Sequence, residues 1–194
     1  LNKKKRFVYF SSPEHWFQAA SELNDVVEEL YLIRDKAHYT QFFGDTNQRI
    51  KRPAYSRGTY LLMAYALENL LKGIAVLNNP DLVNTGKIDK SIKTHDLNEL
   101  SGLNDFRPNN KQKEFQSILS AQCISNARYP VGLNEQIEMT DPSVTDEDFT
   151  IYKKLFKKYQ SYLASNFNLK GWDSGLNDPS LKTKPGEWHY FENN

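Results

Sequence analysis

A single cysteine among 194 residues excludes an intramolecular disulfide, so order in this chain must come from packing. Nine Gly and eight Pro, scattered rather than periodic, exclude a collagen-like or low-complexity chain. Neither sign of charge dominates: 25 Lys plus Arg against 24 Asp plus Glu leave a formal net charge of +1. No global field therefore draws in nucleic acid, and any such contact needs a local patch. Long apolar runs are missing too. The longest, Tyr60 to Leu77, is broken by Glu68, Asn69 and Lys72, and reads as a buried helix rather than a membrane span. Lys3, Lys4, Lys5 and Arg6 lead into no leader-type apolar region and read as a solvated terminus. The lone cysteine fits a reducing compartment, and a cytoplasmic location is expected. Four His and one Cys, widely scattered, give no metal-ligand spacing, so neither a metal nor a cofactor is expected. There is no phosphate loop, Rossmann glycine pattern, His-Glu-x-x-His or Gly-x-Ser-x-Gly elbow. Cys123, inside an apolar helical pattern, reads as core rather than nucleophile.

What is present is a globular composition: 39% hydrophobic residues, with eleven Tyr, eleven Phe and three Trp to supply buried area. The length suits one domain that buries roughly 70% of its unfolded surface. Ser12, Pro13 and Glu14 open a first helix, whose inward face is Trp16, Ala19, Ala20, Leu23, Val26, Val27, Leu30 and Ile33. It can extend to Phe43, with Gly44 as the natural stop. A basic connection, 45–53, precedes a second helix from about Ala54 to Leu77, with Tyr60, Met63, Leu67, Leu70, Leu71, Ile74 and Leu77 on one face. Thr94 can cap a short helix closed by Gly102. Another helix spans roughly Asn110 to Ser125, with Phe115, Ile118, Leu119 and Cys123 inward. The last starts at Thr145, with Asp148 in a capping-box position, and covers its outer side with Lys153, Lys154, Lys157 and Lys158. No strand pattern is convincing. The expected fold is all-α: an up-and-down bundle of about five helices over residues 1–167, then an irregular aromatic tail over 168–194. That tail carries Trp172, Trp188, Tyr190 and Phe191, and either wraps over the bundle or binds elsewhere.

Three separated stretches carry the functional signal. They are Ala64-Tyr65-Ala66-Leu67-Glu68-Asn69-Leu70-Leu71-Lys72-Gly73, then Lys93-Thr94-His95-Asp96-Leu97-Asn98-Glu99-Leu100, then Asn126-Ala127-Arg128-Tyr129-Pro130. In this order and spacing the chain resembles the HEPN superfamily over about residues 54–165. The resemblance implies a helical bundle, commonly a homodimer, that binds a nucleotide or RNA, cuts RNA, or partners a nucleotidyltransferase or other protein in defence and toxin–antitoxin systems. The RNA-cutting members carry Arg and His with four to six residues between them. None of the seven Arg here has that spacing; Arg34 and His38 come nearest, with three residues between them. The likeness is to the non-cutting branch with the Arg-Tyr-Pro segment.

The residues themselves leave alternatives open. The Arg128 guanidinium suits a phosphate and Tyr129 can stack on a base, Pro130 holding Tyr129 extended; equally, Arg128 can pair with a carboxylate and end a helix. His95 can exchange protons near neutral pH or simply hydrogen-bond across helices. Glu68 and Lys72, four apart, share a helical face with Arg57. That face is either one wall of a polar cleft of Arg57, Glu68, Lys72, His95, Arg128 and Tyr129 or a plain solvated stripe. The basic sets Arg49, Lys51, Arg52, Arg57 and Lys153, Lys154, Lys157, Lys158 either track phosphates or keep the surface wet. The leading expectation is a non-catalytic nucleotide- or RNA-binding domain without membrane association. The competing ones are a divergent metal-independent ribonuclease using Arg128 and His95, and a helical interaction or dimerisation module that contacts its partner through the tail aromatics.

Overall fold

The computed structural model describes residues 2–43, 48–126 and 143–188. Arg128, Tyr129, Tyr190 and Phe191 lie outside the described residues. Among those described there are seven α-helices: α1 (Lys3–Phe10), α2 (Pro13–Leu32), α3 (Ser56–Asn78), α4 (Asp81–Asn84), α5 (Leu97–Leu103), α6 (Asn110–Ala121) and α7 (Asp146–Lys170). Two small antiparallel pairs complete them, β1 (His38–Phe43) with β2 (Gln48–Pro53), and β3 (Trp172–Asp173) with β4 (Lys182–Thr183). The protein is all-α.

Helix α3 is the axis of the molecule. Its composition would let it cross a membrane by length and apolarity, yet most of that apolar stretch is buried by protein. Met63, Leu67, Leu70, Leu71 and Ile74 have no exposed surface, and α2, α5, α6 and α7 all pack against it. Gly73 permits the closest approach. A Cβ there would lie 2.9 Å from Trp16 Cβ of α2 and 3.0 Å from Leu163 Cδ2 of α7.

Helix α7 forms as its pattern predicts. Thr145 Oγ1 accepts from the Asp148 amide and Asp148 Oδ2 accepts from the Thr145 amide, satisfying two otherwise orphaned donors. Tyr152, Leu155, Phe156, Tyr159 and Leu163 are buried while the four lysines are exposed. Phe149 is only half-buried and stacks on Tyr31 of α2, ring centroids 3.6 Å apart. Some polar side chains inside the bundle hydrogen-bond one another or the backbone. Gln116 Nε2 donates to Ser101 Oγ and Tyr159 OH, and Asn104 Nδ2 to the Leu71 carbonyl of α3.

Several local expectations are corrected. The first helix is preceded by α1, whose Val8 is buried and whose Lys5 pairs with Asp178 at 2.7 Å, so the basic N-terminal segment is not merely solvated. Helix α2 ends at Leu32, not Phe43, and leaves Val26 exposed. The three- and four-residue recurrence of Tyr39, Phe42 and Phe43 imitates a helix, but these aromatic, strand-favouring residues form β1. Arg49 of β2 lies opposite Phe42 of β1 and over its ring, 5.9 Å from the centroid. The cap of α5 is Asp96, which accepts from the Asn98 and Glu99 amides; Thr94 accepts from Asp96, and Gly102 lies inside the helix. Helix α6 stops at Ala121 and passes into a π-helical turn over Gln122–Asn126; Ile118 faces out while Phe115, Leu119 and Cys123 are buried.

The segment after α7 wraps onto the bundle. Trp172 Nε1 donates to the Val76 carbonyl of α3, and the Trp188 ring meets Phe17 and Phe167 edge-on at 4.9 and 4.7 Å. Both indoles are buried, which makes them core residues rather than exposed partner contacts. Gly171 turns the chain with φ of +65°, where a side chain would collide with the Thr183 carbonyl.

Candidate functional site

Glu68 and Lys72 come from successive turns of α3, and helical periodicity alone brings them together. Lys72 Nζ donates to Glu68 Oε1 at 2.6 Å. The pair is 6% and 7% exposed, so it is a buried ion pair and not a solvated stripe. The second carboxylate oxygen, Oε2, is 2.9 Å from His95 Nδ1, a contact made across 27 residues of sequence. Nδ1 faces a carboxylate oxygen, which accepts, so Nδ1 carries the proton in this contact and Nε2 is the nitrogen able to accept in the neutral ring.

His95 is delivered by its neighbours. Thr94 Oγ1 accepts from the Asp96 amide and Asp96 caps α5, which fixes the backbone on both sides of the imidazole. Leu97, the first residue of the helix, is anchored by its amide to Ser120 Oγ of α6. The His95 side chain remains 44% exposed, so it is the solvent-reachable rim of an otherwise buried cluster. Half-buried Tyr65, one turn before Glu68, lies edge-on to the His95 ring with centroids 6.4 Å apart.

Beneath them is Cys123. A ligating oxygen of Glu68, a ring nitrogen of His95 and the Cys123 sulfur all lie within 4.8 Å of one another. Cys123 is buried, as its apolar surroundings predict, but its thiol also belongs to this polar cluster. No spacing in the sequence could have shown that, because the three residues come from α3, the turn before α5 and the π-helical turn after α6. Of the protein's groups, these three form the set able to hold a metal among the described residues.

The sequence-predicted residues thus divide. Glu68, Lys72 and His95 converge. Arg57 shares their helical face but sits three turns earlier on α3, about 16 Å along the axis, outside the cluster. Arg128 and Tyr129 lie outside the described residues. The basic sets occupy separate elements: Arg49, Lys51 and Arg52 are on β2, whereas Lys153 of α7 pairs with Glu28 of α2 and Lys158 lies over the Phe106 ring. Two open grooves lie elsewhere. One, of about 400 Å³, runs between α6 and the start of α7 past Lys111 and Glu147, and the other, of about 380 Å³, lies between α2 and α7 beside Asn24 and Lys157. No protein-family model matches the chain, and no curated protein or solved structure is significantly similar to it.

Proposed function

We propose that this chain is a HEPN-type domain that binds a nucleotide or RNA without cutting it, acts as a homodimer, and works beside a nucleotidyltransferase-type or other protein partner in a defence or toxin–antitoxin setting. The observation that carries the reading is the meeting of Glu68 and Lys72 with His95 across 27 residues, at a point where only the imidazole is open to solvent. Buried charge is costly to assemble, and a structural role alone does not require an exposed imidazole on top of it. The surroundings suit a base and its phosphate. His95 offers a ring nitrogen and Tyr65 an aromatic edge at the open rim of the cluster. The lack of the Arg-to-His spacing favours binding over cleavage.

The test is fluorescence anisotropy with short single-stranded RNA together with thermal shift against a nucleotide panel. A ligand at 100 times its dissociation constant adds about 2.7 kcal/mol of stability. His95→Ala and Arg128→Ala are expected to lower affinity at least tenfold while leaving the fold intact. Retained affinity in both variants, or no ligand in either assay, overturns the reading. RNA cut to 2′,3′-cyclic phosphate ends would replace it with the ribonuclease.

A further inference from the structure

A carboxylate, an imidazole and a thiol converge at one point, and the ion pair explains only the carboxylate. Glu68 needs Lys72 and gains His95, but nothing in that pair requires a thiol within 4.8 Å of both the carboxylate and the imidazole. We propose that Cys123, His95 and Glu68 form a binding site for a borderline divalent cation of the zinc class.

The donor set selects the metal. Thiolate and imidazole suit Zn²⁺ and Co²⁺, whereas Mg²⁺ and Ca²⁺ require oxygen ligands. Zinc holds sulfur at about 2.3 Å and nitrogen or oxygen at about 2.0–2.2 Å, so two donors on one ion stand about 3.3–3.8 Å apart. Donors already within 4.8 Å of one another need to close by about 1.5 Å at most. The His95–Glu68 hydrogen bond at 2.9 Å opens slightly and gives way to the cation.

The surroundings supply what such a site needs. Two donors are buried, and the third is 44% exposed on its side chain, which provides a route of entry and an open fourth position for water or a ligand atom. The sulfur is carried by a π-helical turn, a feature that often marks functional sites. In that turn Gln122 is 2% exposed, and its Oε1 has no hydrogen-bond partner among the described residues.

Lys72 sets the affinity. It stays on Oε1 while the metal takes Oε2, so the carboxylate bridges an ammonium and a cation. The nearby positive charge weakens the site relative to one built from several thiolates. The proton balance follows: the Cys123 thiol releases its proton to solvent when its sulfur coordinates, the His95 proton moves through solvent from Nδ1 to Nε2 so that Nδ1 binds in the neutral ring, and Glu68 binds as the carboxylate.

The experiment is a titration of the chelator-treated full chain with Co²⁺ and then Zn²⁺. One equivalent of cobalt is expected, with thiolate-to-cobalt charge-transfer absorption that disappears as zinc displaces it and that is missing in Cys123→Ser. His95→Ala is expected to weaken binding at least tenfold, and zinc to raise the melting temperature of the parent but not of Cys123→Ser. Absence of saturable cobalt uptake, or a bound-cobalt spectrum without the thiolate band, overturns the proposal on the parent protein alone, whatever the variants do. The titration contains no nucleotide or RNA, so it succeeds or fails separately from the proposed function.

Discussion

Lys72 cannot be removed alone without leaving the buried Glu68 carboxylate uncompensated on that side. Lys72→Met is expected to cost about 3–5 kcal/mol in urea unfolding, while Glu68→Leu combined with Lys72→Met recovers most of that loss because both charges leave together. A double variant as unstable as the single one would mean that His95 and Cys123 depend on the carboxylate more than the lysine does. Asp178 offers a pH test at the same scale. Its carboxyl is held down to about 2, first by its bond with Lys5 and then by Ser180. A depressed folded pKa contributes stability that is present above the unfolded value of 3.8 and is lost as pH falls toward 2. Asp178→Asn is therefore expected to flatten the stability change between pH 4 and 2 without altering stability differences among more alkaline pH values, as read by thermal unfolding across that range.

Among the elements, α3 and α7 were legible in the sequence because long amphipathic periods and a capping box are local properties, and Gly73 shows what they leave out. Helix propensity alone favours Gly→Ala by about 1 kcal/mol, yet here the added carbon would press on Trp16 and Leu163. Gly73→Leu is expected to lower the melting temperature and Gly73→Ala to gain none of its propensity advantage; a stabilised Gly73→Ala would show that α2 and α7 can draw back. The elements that escaped sequence reading fail for stated causes. Tyr39, Phe42 and Phe43 fit a helical step as well as a strand, and in the β1–β2 ribbon they are resolved by pairing with β2 rather than by any local signal. Helix α1 buries one residue, Val8, too few to make a period. Within the candidate site, Glu68 with Lys72 was legible from four-residue spacing and His95 from its motif. Cys123 looked like core and is core; its approach to the other two depends on how α6 unwinds into a π-helical turn, which only the tertiary fold determines.

For the molecule as a whole, the segment beyond α7 is part of the structure that keeps the bundle shut. Trp188 sits against Phe17 at one end of the sequence and Phe167 at the other. Trp188→Ala is expected to cost about 3–5 kcal/mol, measured by calorimetry, with loss of the buried-indole contribution to fluorescence. A loss under 1 kcal/mol would mean that the segment rests on the bundle without supporting it.

The bond between Lys5 and Asp178 ties α1 to the segment beyond α7. Segments clasped in this way open together, so the loss of one partner exposes the other to solvent and to exchange. Weakening the clasp with Asp178→Asn is expected to speed amide exchange in α1 and in the segment beyond α7 alike, whereas a rise confined to one of them would show that each is held separately.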